Sequence, residues 1–137
     1  MKRQSDGLVV GLSANVVNGA TTTVNLTFTG PNTDFNSLKD GRYTLTVLAN
    51  DVNGGNFDGN GDGVPGDDYT LVGAPGVGPN LFRFFGDING DGTVSASDFI
   101  QFRQFFGGVN PAFDFNIDGS VAASDFIQFR LRFGGSI

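Results

Sequence analysis

The chain contains one segment of 17 residues twice. DINGDGTVSASDFIQFR occupies positions 87–103, and DFNIDGSVAASDFIQFR occupies positions 114–130, 27 positions later. Both copies place Asp, Asn, Asp, Gly and Asp at the same offsets, and both end in DFIQFR. A repeated unit this short cannot bury an apolar face alone, so the repeat predicts that the two copies pack against each other.

The oxygen-bearing residues of each copy have the spacing of an EF-hand calcium loop. Side chains at positions 1, 3 and 5 can converge on one cation, Gly at position 6 permits a sharp turn, and an acid at position 12 closes the loop. Position 7 contributes its backbone carbonyl. The candidate ligands of the first loop are Asp87, Asn89, Asp91, Thr93, Ser95 and Asp98. Those of the second loop are Asp114, Asn116, Asp118, Ser120 and Asp125, and position 9 of that loop is Ala122, which leaves room only for water.

A second interpretation of the same residues requires no metal ion. An Asx-turn can lead directly into a helix, with Asp98 and Asp125 as N-caps. Two complete copies, each followed by the same helix start, favour the calcium loop. At position 8 of the loops, Val94 and Val121 are predicted to pair with each other as a short β contact.

Phenylalanine recurs at helical spacing after each loop. The i, i+3, i+7 pattern predicts one apolar stripe per helix, and core packing between the two helices is its expected role. The stripes are Phe99, Phe102 and Phe106, then Phe126, Phe129 and Phe133. Gly107-Gly108 and Gly134-Gly135 are expected to end the helices.

The first half of the chain is predicted to be β-structure. Residues 21–29 and 43–48 alternate apolar and polar side chains, which is typical of half-buried antiparallel strands. Residues 8–17 and 69–72 predict two further strands. Three or four strands are few for an independent sandwich, so an edge or a face is left to be covered by the C-terminal half, by another chain, or by more of the same domain.

The Gly- and Pro-rich stretch GAPGVGPN predicts a linker at residues 73–80. The predicted organisation is a β-rich part at 1–72 and a duplicated loop–helix module at 81–137. The predicted fold class is therefore mixed: a small antiparallel sheet or partial β-sandwich, followed by a pair of calcium loop–helix motifs.

A third acidic loop lies at residues 51–68 in the β-rich part. Asp58, Asn60 and Asp62, followed by Gly63, repeat positions 1, 3, 5 and 6 of the calcium spacing. The closing acid would be Asp67 or Asp68, and Asp68 completes the candidate ligand set. A third calcium site is the prediction, and a solvated Asp/Gly loop is the alternative.

Composition excludes several classes of function. The chain has no Cys and no His, so zinc or copper sites and His-dependent nucleophiles are not expected. A net charge of −6 argues against nucleic acid as a partner. An enzyme using paired Asp residues is disfavoured because the Asp clusters already have metal-loop spacing. No membrane span is expected, and no apolar signal segment follows the first three residues.

The paired motifs resemble the dockerin type I family over residues 81–135. Neither loop has a good incoming helix, since residues 107–113 contain two Gly and one Pro. The resemblance implies that both loops bind calcium and that the helices dock on a cohesin domain. The positions implied to contact the partner are Ala96, Ser97, Arg103, Ala123, Ser124 and Arg130.

The partner positions depart from the family pattern in two ways. Cohesin-binding dockerins often carry a Ser/Thr pair at loop positions 10 and 11, where this chain has Ala-Ser in both copies. They also favour a Lys-Arg pair in the helix, where this chain has Arg103-Gln104. Residues 8–72, which include YTLTVLANDVNG, resemble the end of a bacterial Ig-like surface domain.

Two functions are consistent with these features. The first is a non-enzymatic, calcium-stabilised attachment module at the cell surface or outside the cell, with a cohesin-like protein or a second copy of the chain as partner. The alternative is a structural subunit of a calcium-stabilised homopolymer or fibre, in which a strand from a neighbour completes the sheet.

Overall fold

The computed structural model describes residues 1–76 and 78–137, so one position of the predicted linker lies outside the described residues. Within that part the chain forms eight short strands, two α-helices and two short 3-10 helices at Ala49–Asp51 and Asn53–Gly55. The strands are β1 (Lys2–Arg3), β2 (Gly11–Val17), β3 (Thr23–Thr29), β4 (Thr33–Asp34), β5 (Ser37–Leu38), β6 (Gly41–Val47), β7 (Tyr69–Val72) and β8 (Phe82–Arg83). The helices are α1 (Ala96–Phe105) and α2 (Ala123–Arg132). The fold is thus mixed, with antiparallel sheets and two helices.

Strand β6 is the centre of the main sheet. β1 pairs with one side of it, while β7 and β8 pair antiparallel with its two ends. Tyr43 in β6 is fully buried and packs with Val10 and Leu38. Its hydroxyl donates a hydrogen bond of 2.6 Å to the carbonyl of Lys39. A buried Tyr with a satisfied hydroxyl anchors this small core.

The two ends of the predicted linker meet at Tyr43. The Gly73 N–H donates to the Tyr43 carbonyl at 2.9 Å, and the Tyr43 N–H donates to the Leu81 carbonyl at 3.0 Å. A Cβ on Gly73 would lie 2.1 Å from the Leu81 carbonyl oxygen, so this close approach requires glycine. The chain therefore leaves the main sheet after β7 and has rejoined it at Leu81, and β8 belongs to that sheet although the sequence places it in the C-terminal module.

Strands β2 and β3 form a separate two-stranded sheet. Their register pairs Leu12 with Phe28 and Val16 with Val24. Both strands are shorter than the predicted ranges 8–17 and 21–29. Most of their side chains are exposed.

The two helices enclose an aromatic core. The rings of Phe102 and Phe129 lie 4.9 Å apart between centroids, and each side chain is 1% exposed. The other buried members are Phe85, Val94, Phe113 and Val121. The predicted stripes are one residue too long, because Phe106 and Phe133 follow the last helical residue and are 54% and 51% exposed. Their backbones are extended, and the glycine after each has a positive φ that turns the chain.

The predicted pairing of Val94 with Val121 is wrong. Val94 exchanges hydrogen bonds with Gly134 and Gly135, at 2.8 and 3.1 Å, while Val121 exchanges two of 2.8 Å with Gly107 and Gly108. Each loop thus pairs with the segment that follows the helix of the other copy. Since Gly134 and its counterpart Gly107 have φ values of 80° and 83°, the chain can turn back after each helix and reach that position.

The β-rich part and the helices are in direct contact. Arg83 and Arg132 both lie over the ring of Phe115, with guanidinium carbons 5.3 and 5.2 Å from its centroid. Phe35, from the turn between β4 and β5, contacts the same ring edge-on at 5.6 Å. Neither described helix is long and apolar enough to cross a membrane.

Candidate calcium sites

The acid at position 1 organises each C-terminal loop. Asp87 Oδ1 accepts a hydrogen bond from the Gly90 N–H at 2.8 Å, and its Oδ2 accepts one from the Gly92 N–H at 2.8 Å. Asp114 holds the second loop in the same way through the N–H groups of Asp118 and Gly119, at 3.1 and 2.8 Å. Gly92 has a φ of 85°, which explains why glycine occupies position 6.

Positions 3, 5 and 7 form a chain of contacts in both loops. The Asn89 and Asn116 amides donate to the position 5 carboxylates at 2.9 and 2.8 Å. The Thr93 hydroxyl donates to Asp91 Oδ1 at 2.6 Å, and the Ser120 hydroxyl donates to its own position 5 carboxylate at 2.8 Å. The hydroxyl at position 7 therefore has a role that the sequence reasoning missed. The signal was the recurrence of a hydroxyl residue at that offset.

The acids at position 12 are buried inside the loops. Asp98 is 0% exposed, and its carboxylate accepts from the Ile88 N–H at 3.1 Å and from the N–H and the hydroxyl of Ser95, both at 2.9 Å. Ser95 is the N-cap of α1, so Asp98 stands at the third helical position and bonds back to the cap.

Asp125 repeats this arrangement in the second loop. It is also 0% exposed and accepts from the N–H groups of Phe115 and Ala122, at 2.8 and 2.9 Å. These acids join the two ends of their loops, and neither is itself the N-cap.

The buried acids provide a test of whether calcium fits. Among residues 1–76 and 78–137, the salt bridges involve Asp6, Asp34 and Asp40, and none involves Asp98 or Asp125. A buried carboxylate without a cationic partner is costly even when it is hydrogen-bonded. The candidate ligand atoms of both loops are all carboxylate, amide, hydroxyl and carbonyl oxygens, which are the ligands of a hard divalent cation. The residues therefore fit calcium.

The electrostatics of the first loop agree with this fit. Burial raises the pKa of the Asp87 carboxyl above its ordinary value, and the charge of Asp91 adds to that effect, although the Gly92 and Gly90 N–H groups oppose it. The Thr93 hydroxyl lowers the pKa of Asp91, and the Ser120 hydroxyl lowers that of Asp118. A cation in the loop would offset the repulsion between these charges.

The third acidic loop begins like the other two. Asp58 Oδ1 accepts from the Gly61 N–H at 2.7 Å, and its Oδ2 accepts from the Gly63 N–H at 2.7 Å. The Gly63 N–H is the main reason that the pKa of Asp58 is lowered. Asp62 accepts from the Val64 N–H at 2.8 Å. The same hydrogen-bond offsets thus recur without a following helix.

In the third loop, Asp67 lies beside the other acids and Asp68 points elsewhere. Among the described residues, Asp58, Asp62 and Asp67 are the one group of three acidic side chains whose oxygen atoms lie within 4.8 Å of one another. Asp68, the candidate ligand from the sequence, instead accepts a hydrogen bond of 2.8 Å from the Ala49 N–H. A Cβ on Gly59 would lie 2.4 Å from the Asp68 carbonyl carbon, so glycine is needed where the loop closes.

The six candidate partner-binding residues all lie on the exposed side of the helices. Ile100 and Ile127 lie among them and are 59% and 58% exposed, and Leu131 is 73% exposed. The sequence reasoning did not single out these three residues. The sequence signal for them was an apolar residue outside the phenylalanine stripe of its helix. That stripe already supplies the face that packs in the core.

Comparison with known protein families identifies the segment that contains the two C-terminal loops. No curated protein and no solved structure matches the chain. The family model of the dockerin type I domain matches residues 85–130, which contain both C-terminal loops and nearly all of both helices. Dockerin domains are non-catalytic modules that bind calcium and assemble proteins. The predicted resemblance is therefore confirmed: this chain carries a dockerin type I domain at residues 85–130.

Proposed function

We propose that this chain is a non-enzymatic attachment module of the cell surface or extracellular space, folded around calcium in its two C-terminal loops. The observation that carries the proposal is the burial of Asp98 and Asp125 without a cationic partner among the described residues. Two carboxylates in one small core destabilise it unless their charge is compensated.

The residues that would hold the two ions are the predicted ligand sets. Asp87, Asp91 and Asp98 would supply carboxylate oxygens in the first loop, with Asn89 as the amide ligand. Their counterparts in the second loop lie 27 positions later. Calcium supplies the positive charge, and the chain supplies the turn, the oxygens and the buried closing acid. Binding energy would then contribute directly to folding.

A third ion is proposed for the loop between β6 and β7. Asp58, Asp62 and Asp67 support it by the proximity of their carboxylate oxygens. Unlike the closing acids of the other loops, this cluster lies near the surface. We therefore expect this site to bind calcium less tightly than the other two.

A protein partner is proposed for the exposed side of α1 and α2. The two helices offer Ile100 and Ile127 at equivalent positions, beside Arg103 and Arg130. Arginine is enriched among the residues that contribute most to protein interfaces, and exposed apolar surface beside it is typical of interaction sites. A cohesin-type domain is the partner class that the dockerin match supports. We infer a location outside the cell because calcium loops of this kind suit the millimolar calcium concentration found there.

Calorimetry on the full chain tests the calcium proposal. Calcium added to EDTA-treated protein should release heat and raise the melting temperature. Asp98→Asn and Asp125→Asn should each remove one binding event. Asp51→Asn, the same change at an exposed acid outside the three ligand sets, is the matched control. Absence of heat together with an unmoved melting temperature would refute the proposal.

The homopolymer remains a second candidate because of one observation. In the described part of the chain, β2 and β3 pair only with each other, so their outer edges are open to another strand. Sizing in calcium and in EDTA separates the two functions. An attachment module stays small in calcium, whereas the polymer grows in calcium and dissolves in EDTA.

A further inference from the structure

The glycines at position 6 of the two C-terminal loops share one backbone conformation but have different surroundings. Gly92 in the first loop and Gly119 in the second have φ values of 85° and 90°. Gly92 is buried, whereas Gly119 is exposed. Within the described residues, and apart from its chain neighbours, a Cβ on Gly119 would meet no atom within 4 Å. The same turn is therefore covered in one copy and open in the other.

The cover of the first loop comes from the β-rich part of the chain. A Cβ on Gly92 would lie 2.8 Å from both Cβ and Cγ of Pro75, so the proline ring rests directly on the backbone of position 6. At position 4, a Cβ on Gly90 would lie 4.0 Å from Cζ of Phe82 in β8. Position 4 of the second loop is Ile117, which is 60% exposed. Pro75 and Phe82 thus cover two positions that are exposed in the second loop.

Pro75 belongs to a short strap, residues 73–76, whose first residue is fixed to the main sheet. The Gly73 N–H donates to the Tyr43 carbonyl at 2.9 Å, and the Gln4 side-chain amide donates to the Gly73 carbonyl at 2.9 Å. The proline ring lies two residues farther along, and its φ is fixed by the ring itself. A side chain held in this way loses little conformational entropy when it packs on the loop.

The contact with Pro75 depends on the closed form of the first loop. The Gly92 N–H donates to Asp87 Oδ2 at 2.8 Å, and this bond shapes the turn that presents position 6 to the strap. Without a cation, the carboxylates of Asp87 and Asp91 repel each other and oppose the closed turn. A contact that is made only in one conformation stabilises that conformation. Pro75 and calcium therefore favour the same state of the loop.

We infer that Pro75 is a positioning residue of the first calcium loop, which it holds closed by packing on Gly92, so that calcium leaves this loop more slowly. The inference rests on the proposed calcium function. It gives the β-rich part a role in calcium retention, because the strap is anchored to the main sheet. It also makes the two loops unequal, with the second loop exchanging its ion faster than the first.

The rate of calcium release into an excess of fluorescent chelator, followed by stopped flow, tests this role. With Asp67→Asn and Asp125→Asn, the full chain keeps the first loop, and with Asp67→Asn and Asp98→Asn it keeps the second. Pro75→Ala should speed release from the first loop about three- to tenfold, the size expected for one or two partly buried methylene groups. It should leave release from the second loop unchanged. In the otherwise unaltered chain, which needs no ligand variant, Pro75→Ala should speed one release phase only.

Pro79→Ala is the matched control, because it makes the same change in the same segment at an exposed residue. The Pro79 carbonyl, which accepts from the Leu81 N–H at 2.8 Å, is kept in that variant. Both release rates should stay unchanged. Pro75→Val keeps aliphatic carbons against Gly92 and should restore most of the slow release.

Three results would overturn the role of Pro75: an unchanged first-loop rate in Pro75→Ala, equal effects of the two alanine variants, or equal acceleration at both loops. Each of them leaves calcium binding itself intact. A wild-type chain that delivers no calcium to the chelator after calcium loading would instead refute the proposed calcium function, and the inference with it.

Discussion

The guanidinium of Arg132 at the end of α2 is hydrogen-bonded to the carboxylate of Asp40, 92 positions earlier in the chain. The same carboxylate accepts a 2.9 Å hydrogen bond from the Phe85 N–H and lies 3.5 Å from Arg83. Asp40, just before β6, therefore links the main sheet to the segment that follows β8 and to the last helix. The β-rich part and the dockerin domain share this contact, and we expect them to unfold together.

Asp40→Asn should destabilise the whole chain by about 1.5–3 kcal/mol, the usual range for hydrogen bonds to charged groups. Asp34→Asn is the matched control, since the salt bridge of Asp34 among the described residues is with Arg83, at 3.8 Å. Urea unfolding followed by circular dichroism measures both. Equal effects of the two variants would contradict the central role of Asp40.

Phe102→Ala should destabilise the chain by about 3–5 kcal/mol, because it leaves a cavity in the aromatic core between the helices. Phe106→Ala removes the same side chain four residues later, where it is half-exposed, and should cost far less. Denaturation in calcium compares the two variants. Similar losses would mean that the half-exposed ring is part of the core.

Asp67→Asn should remove the third calcium equivalent from the chain, and Asp68→Asn should not. Asp67 shares the cluster with Asp58 and Asp62, while Asp68 holds the Ala49 N–H. The measurement is the number of ions bound per chain at saturating calcium. Loss of an ion in the Asp68 variant alone would restore the ligand set inferred from the sequence.

Removal of residues 134–137 should weaken calcium binding at the first loop more than at the second. Gly134 and Gly135 pair with Val94, and the Ile137 N–H donates to the Gly92 carbonyl at 3.0 Å. The second loop keeps its own pairing with Gly107 and Gly108. Calorimetry with Asp98→Asn and Asp125→Asn in the truncated chain separates the two loops. An equal loss at both loops would contradict the reciprocal pairing.

The Asp6 carboxyl should titrate at a pKa of about 2, mainly because the Arg3 side chain donates hydrogen bonds to it. A folded-state pKa below the unfolded value gives stability that is present above the unfolded pKa and is lost as the pH falls through the folded pKa. Arg3→Gln should return the midpoint toward the ordinary value of 3.8. A carbon-detected NMR titration of the Asp6 side chain measures the shift, and an unchanged midpoint in the variant would refute its cause.

The parts of this structure that depend on interactions between residues close in sequence could be predicted from the sequence. The Asp at position 1 and the Gly at position 6 act through backbone groups within five residues, so their spacing carries the loop geometry wherever it occurs. The phenylalanine stripes likewise predicted a helix–helix core, because a 3.6-residue period is a property of one segment.

Other features depended on residues far apart in the chain. Asp68 is held away from Asp58 and Asp62 by its hydrogen bond with the Ala49 N–H, and the partners of Val94 and Val121 follow from how the two copies approach each other. A pattern within one short segment does not specify such contacts between residues far apart in the chain.

The sequence by itself determined the two loop–helix units and their candidate ligands, because each unit is encoded within one short segment. It also determined the dockerin type I resemblance, because that segment occurs twice. The tertiary structure alone decided that β8 joins the main sheet, that Asp40 binds Arg132, and that apolar side chains of β2 and β3 are exposed. Long-range contacts and burial are properties of the packed chain, and no single segment specifies which of its faces another segment will cover.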